Sequence, residues 1–280
     1  METRQTPADM AGVFAFREAG FEYFGKDERA GKSMSGWPQG YGRRVLDEVD
    51  STMAEAARVG PELAGPEWIL ALRQTAGRGR RGRAWRDPVG NFAATLVMRP
   101  SEPPDQVALR SFVAALALDD ACVAATGRAD AFALKWPNDV LLNGGKLAGI
   151  LLESSGQAGR IAHFAIGIGV NLKSVPETVE TDAVPPVSLM GETGIEIGPE
   201  GFLDLLARAY AAREEAFRRY GFAPIREAWL ARAARLGESI VARTAREEIR
   251  GVFETVDAAG NLVLSTSDTR RAVAAADVFF

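Results

Sequence analysis

Residues 135–150 read KWPNDVLLNGGKLAGI, and this stretch carries a clear signal of the local fold. Two apolar runs, 140–142 and 146–153, flank the sequence Asn143-Gly144-Gly145. Asparagine and glycine accept the positive φ angles that a two-residue hairpin turn requires. The stretch therefore predicts two antiparallel strands joined by a tight turn.

The residues just before this hairpin carry polar side chains at a predicted strand end. Pro137 keeps Trp136 away from helical angles and predicts a bend there. Asn138 and Asp139 should leave the strand end together, where a carboxylate can bind Mg²⁺ or orient a donor. Lys146 begins the return strand and should lie near the same place. These groups favour phosphoryl chemistry, which needs charge neutralisation and in-line positioning.

Outside the hairpin, apolar runs alternate with helical patterns and predict an α/β body. Predicted strands cover 44–49, 68–73, 91–98, 131–135 and 161–170. Predicted helices cover 52–59, 106–126, 202–217 and 224–234, and the first of them begins after Asp50-Ser51. After Gly237 only short strands are predicted, at 239–242, 248–256, 262–264 and 278–280.

These patterns divide the chain into three predicted parts. Residues 1–40 show little periodicity and are predicted to be a poorly structured extension. Pattern quality rises after Met34, so we expect residues 1–33 to be dispensable. Residues 41–236 are predicted to form the main domain, and residues 237–280 a small all-β domain.

The residue counts exclude several classes of protein. The 280 residues are 47% hydrophobic and 25% charged, as in ordinary globular chains. A single cysteine, Cys122, cannot form an internal disulfide, and with a single histidine, His163, it cannot supply a zinc-finger ligand set. The net charge of −4 argues against general nucleic-acid binding. No transmembrane or secretory segment is predicted, so we expect a cytoplasmic protein that binds no membrane.

A second motif, residues 77–86, reads GRGRRGRAWR and places five arginines within nine residues. Its glycines fit a dinucleotide-binding fingerprint, but Asp87-Pro88 leaves no room for the helix which that motif needs. An RNA-binding or targeting patch is a second interpretation. The third is a lid that folds over an anionic ligand, since glycines let the backbone approach and guanidinium groups bind phosphate or carboxylate.

Five segments together resemble the biotin–protein ligases, enzymes that attach biotin to carboxyl carrier proteins. The segments are 50–52, 74–83 with Trp85, 135–139, 146–150 with Glu153, and 167–171. The resemblance implies an α/β catalytic domain with a mixed sheet, of the biotin/lipoate ligase type. It also implies that the terminal β module is a small SH3-like β-barrel domain.

The same resemblance implies which residues carry the activity. Biotin contacts fall on Ser51, Thr52, Gln74, Arg78, Gly79, Arg80 and Lys146. Contacts with ATP or the adenylate fall on Arg80, Arg81, Arg83, Trp85, Lys135, Asn138, Asp139 and Asn171. Catalytic roles fall on Lys146, Arg78 and Asp139, and Asp139 is also the expected Mg²⁺ ligand.

The implied reaction uses ATP to activate biotin as biotinyl-5′-AMP. A lysine of a biotin carboxyl carrier protein, from acetyl-CoA carboxylase or another biotin-dependent carboxylase, then accepts the biotin. Met53 departs from the family, which usually has Asn after Ser-Thr. Residues 1–40 are too short for the DNA-binding helix-turn-helix of some relatives, so no DNA binding is expected. A homodimer is compatible with the resemblance.

Two alternatives remain open from the sequence. A lipoate or octanoate ligase or transferase shares the α/β core, although the arginine-rich segment and KWPND favour biotin. A nucleic-acid-binding module would rest on the arginine cluster alone.

Overall fold

The computed structural model describes residues 36–86, 88–157, 160–176 and 184–280. Most of the predicted extension 1–40, including the segment 1–33 expected to be dispensable, lies outside these residues. The described chain is centred on a mixed sheet of seven strands in the order β1-β2-β3-β7-β6-β5-β4. The strands are β1 Gly42–Leu46, β2 Glu67–Ala71, β3 Phe92–Met98, β4 Phe132–Lys135, β5 Asp139–Leu142, β6 Gly145–Gln157 and β7 Arg160–Val170. Strands β1 and β2 pair in parallel and the other neighbours pair antiparallel.

Six α-helices accompany the sheets within the described residues. They are α1 Thr52–Val59, α2 Pro104–Ala108, α3 Arg110–Thr126, α4 Leu189–Thr193, α5 Pro199–Tyr220 and α6 Phe222–Leu230. Short 3₁₀ turns lie at Gly60–Glu62, Arg80–Gly82 and Ala129–Ala131. The single helix predicted at 106–126 is wrong in one respect, because α2 and α3 are separate helices that meet at Leu109. Helix α3 ends where Gly127 takes a left-handed φ of 71°, as its sequence predicted.

The two faces of the seven-stranded sheet are covered differently. Helix α3 packs on β4–β6 and helix α5 on β2 and β3, which buries one face in the main core. Along β3, Phe92 and Leu96 point into this core, whereas Val97 points to the opposite face. On that opposite face the small helix α1 packs through a minor cluster around Met53 and Ala56, and the 3₁₀ turn Gly60–Glu62 contacts β7. The rest of this second face is left available for a site.

The predicted hairpin forms, and a second one precedes it. Asn143 and Gly144 take φ angles of 49° and 82°, and they join β5 to β6. Strands β4 and β5 are also antiparallel neighbours, and their register sets Lys135 opposite Asp139. The bend predicted at Pro137 is therefore itself the turn of a hairpin. This turn holds Asn138 and Asp139 at the end of the sheet.

The C-terminal residues form a separate antiparallel sheet in the order β11-β10-β9-β8-β12. Its strands are β8 Ser239–Arg243, β9 Glu248–Val256, β10 Leu262–Ser265, β11 Arg270–Val273 and β12 Asp277–Phe279. Strand β11 was not predicted, since its sequence Arg-Arg-Ala-Val lacks apolar alternation. The sheet packs on the main core, with the Phe253 ring 6.5 Å from that of Trp229. The domain boundary at Gly237 stays a prediction.

Candidate active site

A pocket of about 970 Å³ opens on the second face of the seven-stranded sheet. It is bounded by the start of α1, by residues 77–86 (the arginine loop), by the β4–β6 hairpins and by β12. All fourteen side chains or backbone positions that the sequence assigned to the site line this pocket. The structure therefore brings them together, while the role of each residue stays a prediction.

Glycines on the exposed sheet face make room for the pocket. A Cβ atom on Gly169 would lie 2.4 Å from Cε2 of Trp85, and one on Gly149 would lie 3.5 Å from Cζ3 of the same ring. A Cβ atom on Gly167 would lie 2.7 Å from Sδ of Met53. The Met53 side chain thus packs on Gly167, which is how the chain accommodates its departure from asparagine.

One end of the pocket carries a small network of hydroxyl and amide groups. Thr52 donates to Oε1 of Gln74 from its backbone N at 2.9 Å and from Oγ1 at 3.2 Å. Thr95, which the sequence analysis missed, donates from Oγ1 to Oγ1 of Thr52 at 2.8 Å. Oγ of Ser51 is buried and has no hydrogen-bond partner in the described part of the chain. A buried, unpaired hydroxyl that lines a pocket is suited to binding a polar ligand atom.

The middle of the pocket holds two lysines around one carboxylate. Lys146 Nζ lies 2.8 Å from Asp139 Oδ1, and Lys135 Nζ lies 3.8 Å from Asp139 Oδ2. Burial lowers the pKa of Lys135, and the attraction of Asp139 opposes that shift. Asn138 donates from Nδ2 to the Ile150 carbonyl at 2.7 Å, which fixes the turn beside these charges.

The arginine loop folds back on itself as a short hairpin. Gly79 N donates to the Arg83 carbonyl at 2.7 Å, and Trp85 N donates to the Gly77 carbonyl at 2.9 Å. Its tight turn sets Arg81 at a φ of 56° and Gly82 at 73°. No helix opens at Gly82 among these residues, so the dinucleotide fingerprint does not apply.

Carboxylates from two other elements hold the guanidinium groups of this loop. Arg78 pairs with Glu153 on β6 at 2.9 Å. Arg80, Arg81 and Arg83 all lie against Asp277 on β12, at 3.5, 2.7 and 3.5 Å. Burial lowers the pKa of Arg80, while Asp277 and Asp139 oppose that shift. The sequence assigned no role to Asp277, since a lone acid in a C-terminal strand carries no motif.

Residues 184–187 form a further wall that the sequence did not predict. Lys146 N donates to the Pro185 carbonyl at 2.8 Å, and Val187 N donates to the Lys146 carbonyl at 3.0 Å. Asn171 donates from Nδ2 to the Val187 carbonyl at 3.1 Å. Asn171 therefore holds this segment beside Lys146 in the structure.

The described residues show no group of three or more acidic, His or Cys side chains that could hold a metal ion. Both oxygens of Asp139 face lysine ammonium groups, which does not fit a resident Mg²⁺. A Mg²⁺ ligand role for Asp139 stays a prediction.

The lone cysteine and histidine lie away from the pocket lining. Cys122 is fully buried on α3. His163 Nδ1 lies 2.9 Å from Ser155 Oγ on the neighbouring strand, which agrees with the predicted strand histidine. None of the helices in the described segments is long and apolar enough to span a membrane.

Comparison with known proteins identifies the family. The Biotin/lipoate A/B protein ligase family matches residues 45–171, and the Biotin protein ligase C terminal domain matches residues 236–280. The biotin–[acetyl-CoA-carboxylase] ligase of Paracoccus denitrificans is 56% identical over 84% of this chain and 99% of its own length. The bifunctional ligase/repressor BirA of Escherichia coli (strain K12) is 32% identical over 83% of this chain and 72% of its own length.

Solved structures share the same architecture. Biotin protein ligase from Aquifex aeolicus, in complex with biotin and ATP, aligns with a TM-score of 0.71 at 23% identity. The alignment covers 85% of this chain and 98% of that chain. The mixed-sheet domain and the C-terminal β domain thus match the expected fold. With the 56% identity to the Paracoccus enzyme, these findings establish that this chain belongs to the biotin protein ligase family.

Proposed function

We propose that this chain joins biotin to ATP, forming biotinyl-5′-AMP and pyrophosphate, and then transfers biotin to a lysine of a carrier protein. The observation that carries the proposal is the excess of positive charge in the pocket. Two carboxylates, Asp139 and Asp277, line the pocket within the described residues. Nine basic side chains line it with them: Arg78, Arg80, Arg81, Arg83, Arg86, Lys135, Lys146, Arg235 and Arg243.

In the first step, a biotin carboxylate oxygen attacks the α-phosphorus of ATP. The bond from that phosphorus to the bridging oxygen breaks, and pyrophosphate leaves. Negative charge concentrates on the phosphoryl oxygens, where fixed cations lower the barrier. Lys146, Arg78 and Arg80 are proposed to supply them, and Asp139 is proposed to orient the Lys146 ammonium through its 2.8 Å ion pair.

In the second step, the amine of an acceptor lysine attacks the carbonyl carbon of the mixed anhydride. The new C–N bond forms as the C–O bond to phosphate breaks, and AMP leaves. Water would destroy the anhydride before transfer, so the adenylate must be covered. The arginine loop is proposed as that cover, since its residues already lie along the pocket wall.

One reconstitution experiment tests the proposed function. The protein is mixed with ATP, Mg²⁺, a biotin carrier domain and either biotin or lipoate, and the carrier is weighed by mass spectrometry. We expect one biotinyl group on the carrier lysine, none without ATP, and much slower addition of biotin with Lys146→Ala. A lipoyl adduct alone would support the lipoate alternative, which the family description also covers.

The carrier, the location and the partners stay proposals. The name of the Paracoccus relative points to a carrier of acetyl-CoA carboxylase, and competition between carrier domains would test that choice. Location in the cytoplasm, a homodimer and the absence of DNA binding stay predictions. Fractionation, sedimentation velocity and a mobility shift on the protein's own promoter would test them in turn.

A further inference from the structure

We propose that Asp277 is a positioning residue that holds the arginine loop closed over the pocket. The inference rests on the proposed function, because it explains how the adenylate would be retained. It assigns a task to the C-terminal sheet, namely to supply the counter-charge for the loop. Asp277 acts through the arginines and is not itself placed on the reacting atoms.

The geometry of Asp277 carries this inference. Its carboxylate lies 2.7 Å from Nη1 of Arg81 and 3.5 Å from guanidinium nitrogens of both Arg80 and Arg83. The neighbouring Ala276 carbonyl accepts from Nη2 of Arg80 at 3.5 Å. The arginine loop is therefore contacted by the first side chain of β12 and by the backbone of the residue just before that strand.

The carboxylate of Asp277 is less exposed than the other acidic anchor of the arginine loop. The side chain of Asp277 is 18% exposed, whereas Glu153, which pairs with Arg78 at the start of the loop, is 42% exposed. Exposed ion pairs contribute little because water and salt screen them. Of these two carboxylates, Asp277 is the less exposed, and it pairs with three guanidinium groups, of which Arg80 is 28% exposed and Arg81 and Arg83 are 47% and 53% exposed.

The loop needs such an anchor for two reasons. Its five guanidinium groups carry charge of the same sign, so they repel one another and favour an open loop. Its turn also sets Arg81 at a φ of 56°, a left-handed conformation that non-glycine residues adopt at a cost. The Arg81–Asp277 ion pair spans from that strained residue to β12. It therefore stabilises the turn at its least favourable point.

Removal of the Asp277 charge should open the loop before any ligand binds. Trypsin cleaves after arginine residues, so the rate of cleavage within the arginine loop measures how often the loop is open. We expect cleavage after residues 78–83 to be roughly tenfold faster in Asp277→Asn than in the unchanged protein, because proteolysis follows the open population. Mass spectrometry of the fragments locates the cuts. Asp277→Glu, which restores the charge, should slow the cleavage again.

A matched control is available on the same sheet. Glu254 pairs with Arg270 on the C-terminal sheet, and neither residue lines the pocket. Glu254→Gln should leave loop cleavage unchanged. Arg81→Gln breaks the contact from the loop side without touching β12, so it should accelerate cleavage after Arg83 even if Asp277→Asn folds poorly. Unchanged cleavage in both Asp277→Asn and Arg81→Gln would overturn the proposal.

Adenylate retention gives a second readout. With biotin, ATP and Mg²⁺ but no carrier, we expect Asp277→Asn to label lysines of added serum albumin roughly tenfold more than the unchanged protein does. In each such event a lysine amine forms an amide with the biotin carbonyl carbon as the C–O bond to the phosphate breaks, AMP leaves, and the amine proton passes to solvent. Faster cleavage without more labelling would overturn the retention role. If the unchanged protein made no adenylate, the proposed function would be wrong. The trypsin cleavage rates would still show whether Asp277 holds the arginine loop closed.

Discussion

The two faces of the seven-stranded sheet differ in whether their charged side chains have partners of opposite charge. On the helix-covered side, Arg110 is 2% exposed and forms ion pairs with Glu214 and Glu102 at 2.8 and 2.7 Å. Burial and the Glu214 carboxylate raise the pKa of Tyr41 beside it to about 12, so that hydroxyl stays neutral. On the pocket side, lysines and arginines outnumber the carboxylates that face them. The buried arginine on the helix-covered side has carboxylate partners and serves the structure, whereas the excess of cations in the pocket calls for an anionic ligand.

The largest expected effect is on the helix-covered face. Glu214→Ala leaves Arg110 buried beside a weakened set of partners, and removal of one member of such a pair costs about 3–5 kcal/mol. Urea unfolding should show this loss in the free energy of unfolding. The double variant Arg110→Leu/Glu214→Leu should recover much of it, because an apolar pair needs no counter-charge. A loss no larger than that of the exposed-pair variant Glu248→Ala would contradict this assignment.

The second largest effect is expected on the pocket side of the sheet, from the loss of Lys146. Lys146→Ala should slow adenylate formation by about 10²–10³-fold, or about 3–4 kcal/mol in the barrier, with little change in unfolding. Pyrophosphate release at saturating biotin and ATP measures the rate. Lys173→Ala, a lysine outside this pocket, is the control. Activity close to that of the unchanged protein would remove Lys146 from the mechanism.

A smaller effect should follow from filling the glycine groove. Gly169→Ala places a methyl group where the Trp85 ring lies, and overpacking of this kind costs about 1–3 kcal/mol. We expect weaker binding of biotinyl-5′-AMP, seen by calorimetry, because Trp85 must leave its position. Gly201→Ala, where the added methyl meets ordinary contacts at 3.6 Å, should bind as before. Equal affinities in both variants would show that the position of Trp85 does not matter.

The smallest effect at neutral pH concerns Lys135. Its pKa in the folded protein lies below the usual 10.5, so it loses its positive charge at a lower pH than an exposed lysine does. If that charge assists adenylation, kcat/KM for ATP should fall as pH rises through this lowered pKa. Lys135→Arg keeps its charge and should move that alkaline limb upward. If the alkaline limb of the pH profile did not move in Lys135→Arg, another group would be responsible for the fall in kcat/KM.

Several structural features follow from local sequence, and others do not. Asn143-Gly144 fixed the β5–β6 hairpin, since few residues accept those φ angles. Strand β11 escaped prediction because its pairing with β10 depends on backbone hydrogen bonds rather than on its own pattern. The break at Leu109 also escaped prediction, because no glycine or proline marks it in the sequence.

The site residues show the same division. Motifs within single segments located Ser51, Lys146 and the arginine loop, since their chemistry depends on residue type and spacing. The partners of these residues could not be predicted, because Thr95 and Asp277 are ordinary residues of strands far away in the chain.

By itself, the sequence determined the family, the elements with strong local signals, and fourteen of the residues that line the pocket. The tertiary structure determined which charged side chains form ion pairs with one another. It set both lysines on Asp139 and three loop arginines on Asp277, and it closed the Arg110 network on the opposite face. The reason is physical: residue type and φ preference act within a few residues. Charge pairing and burial depend on which strands and helices the fold brings side by side.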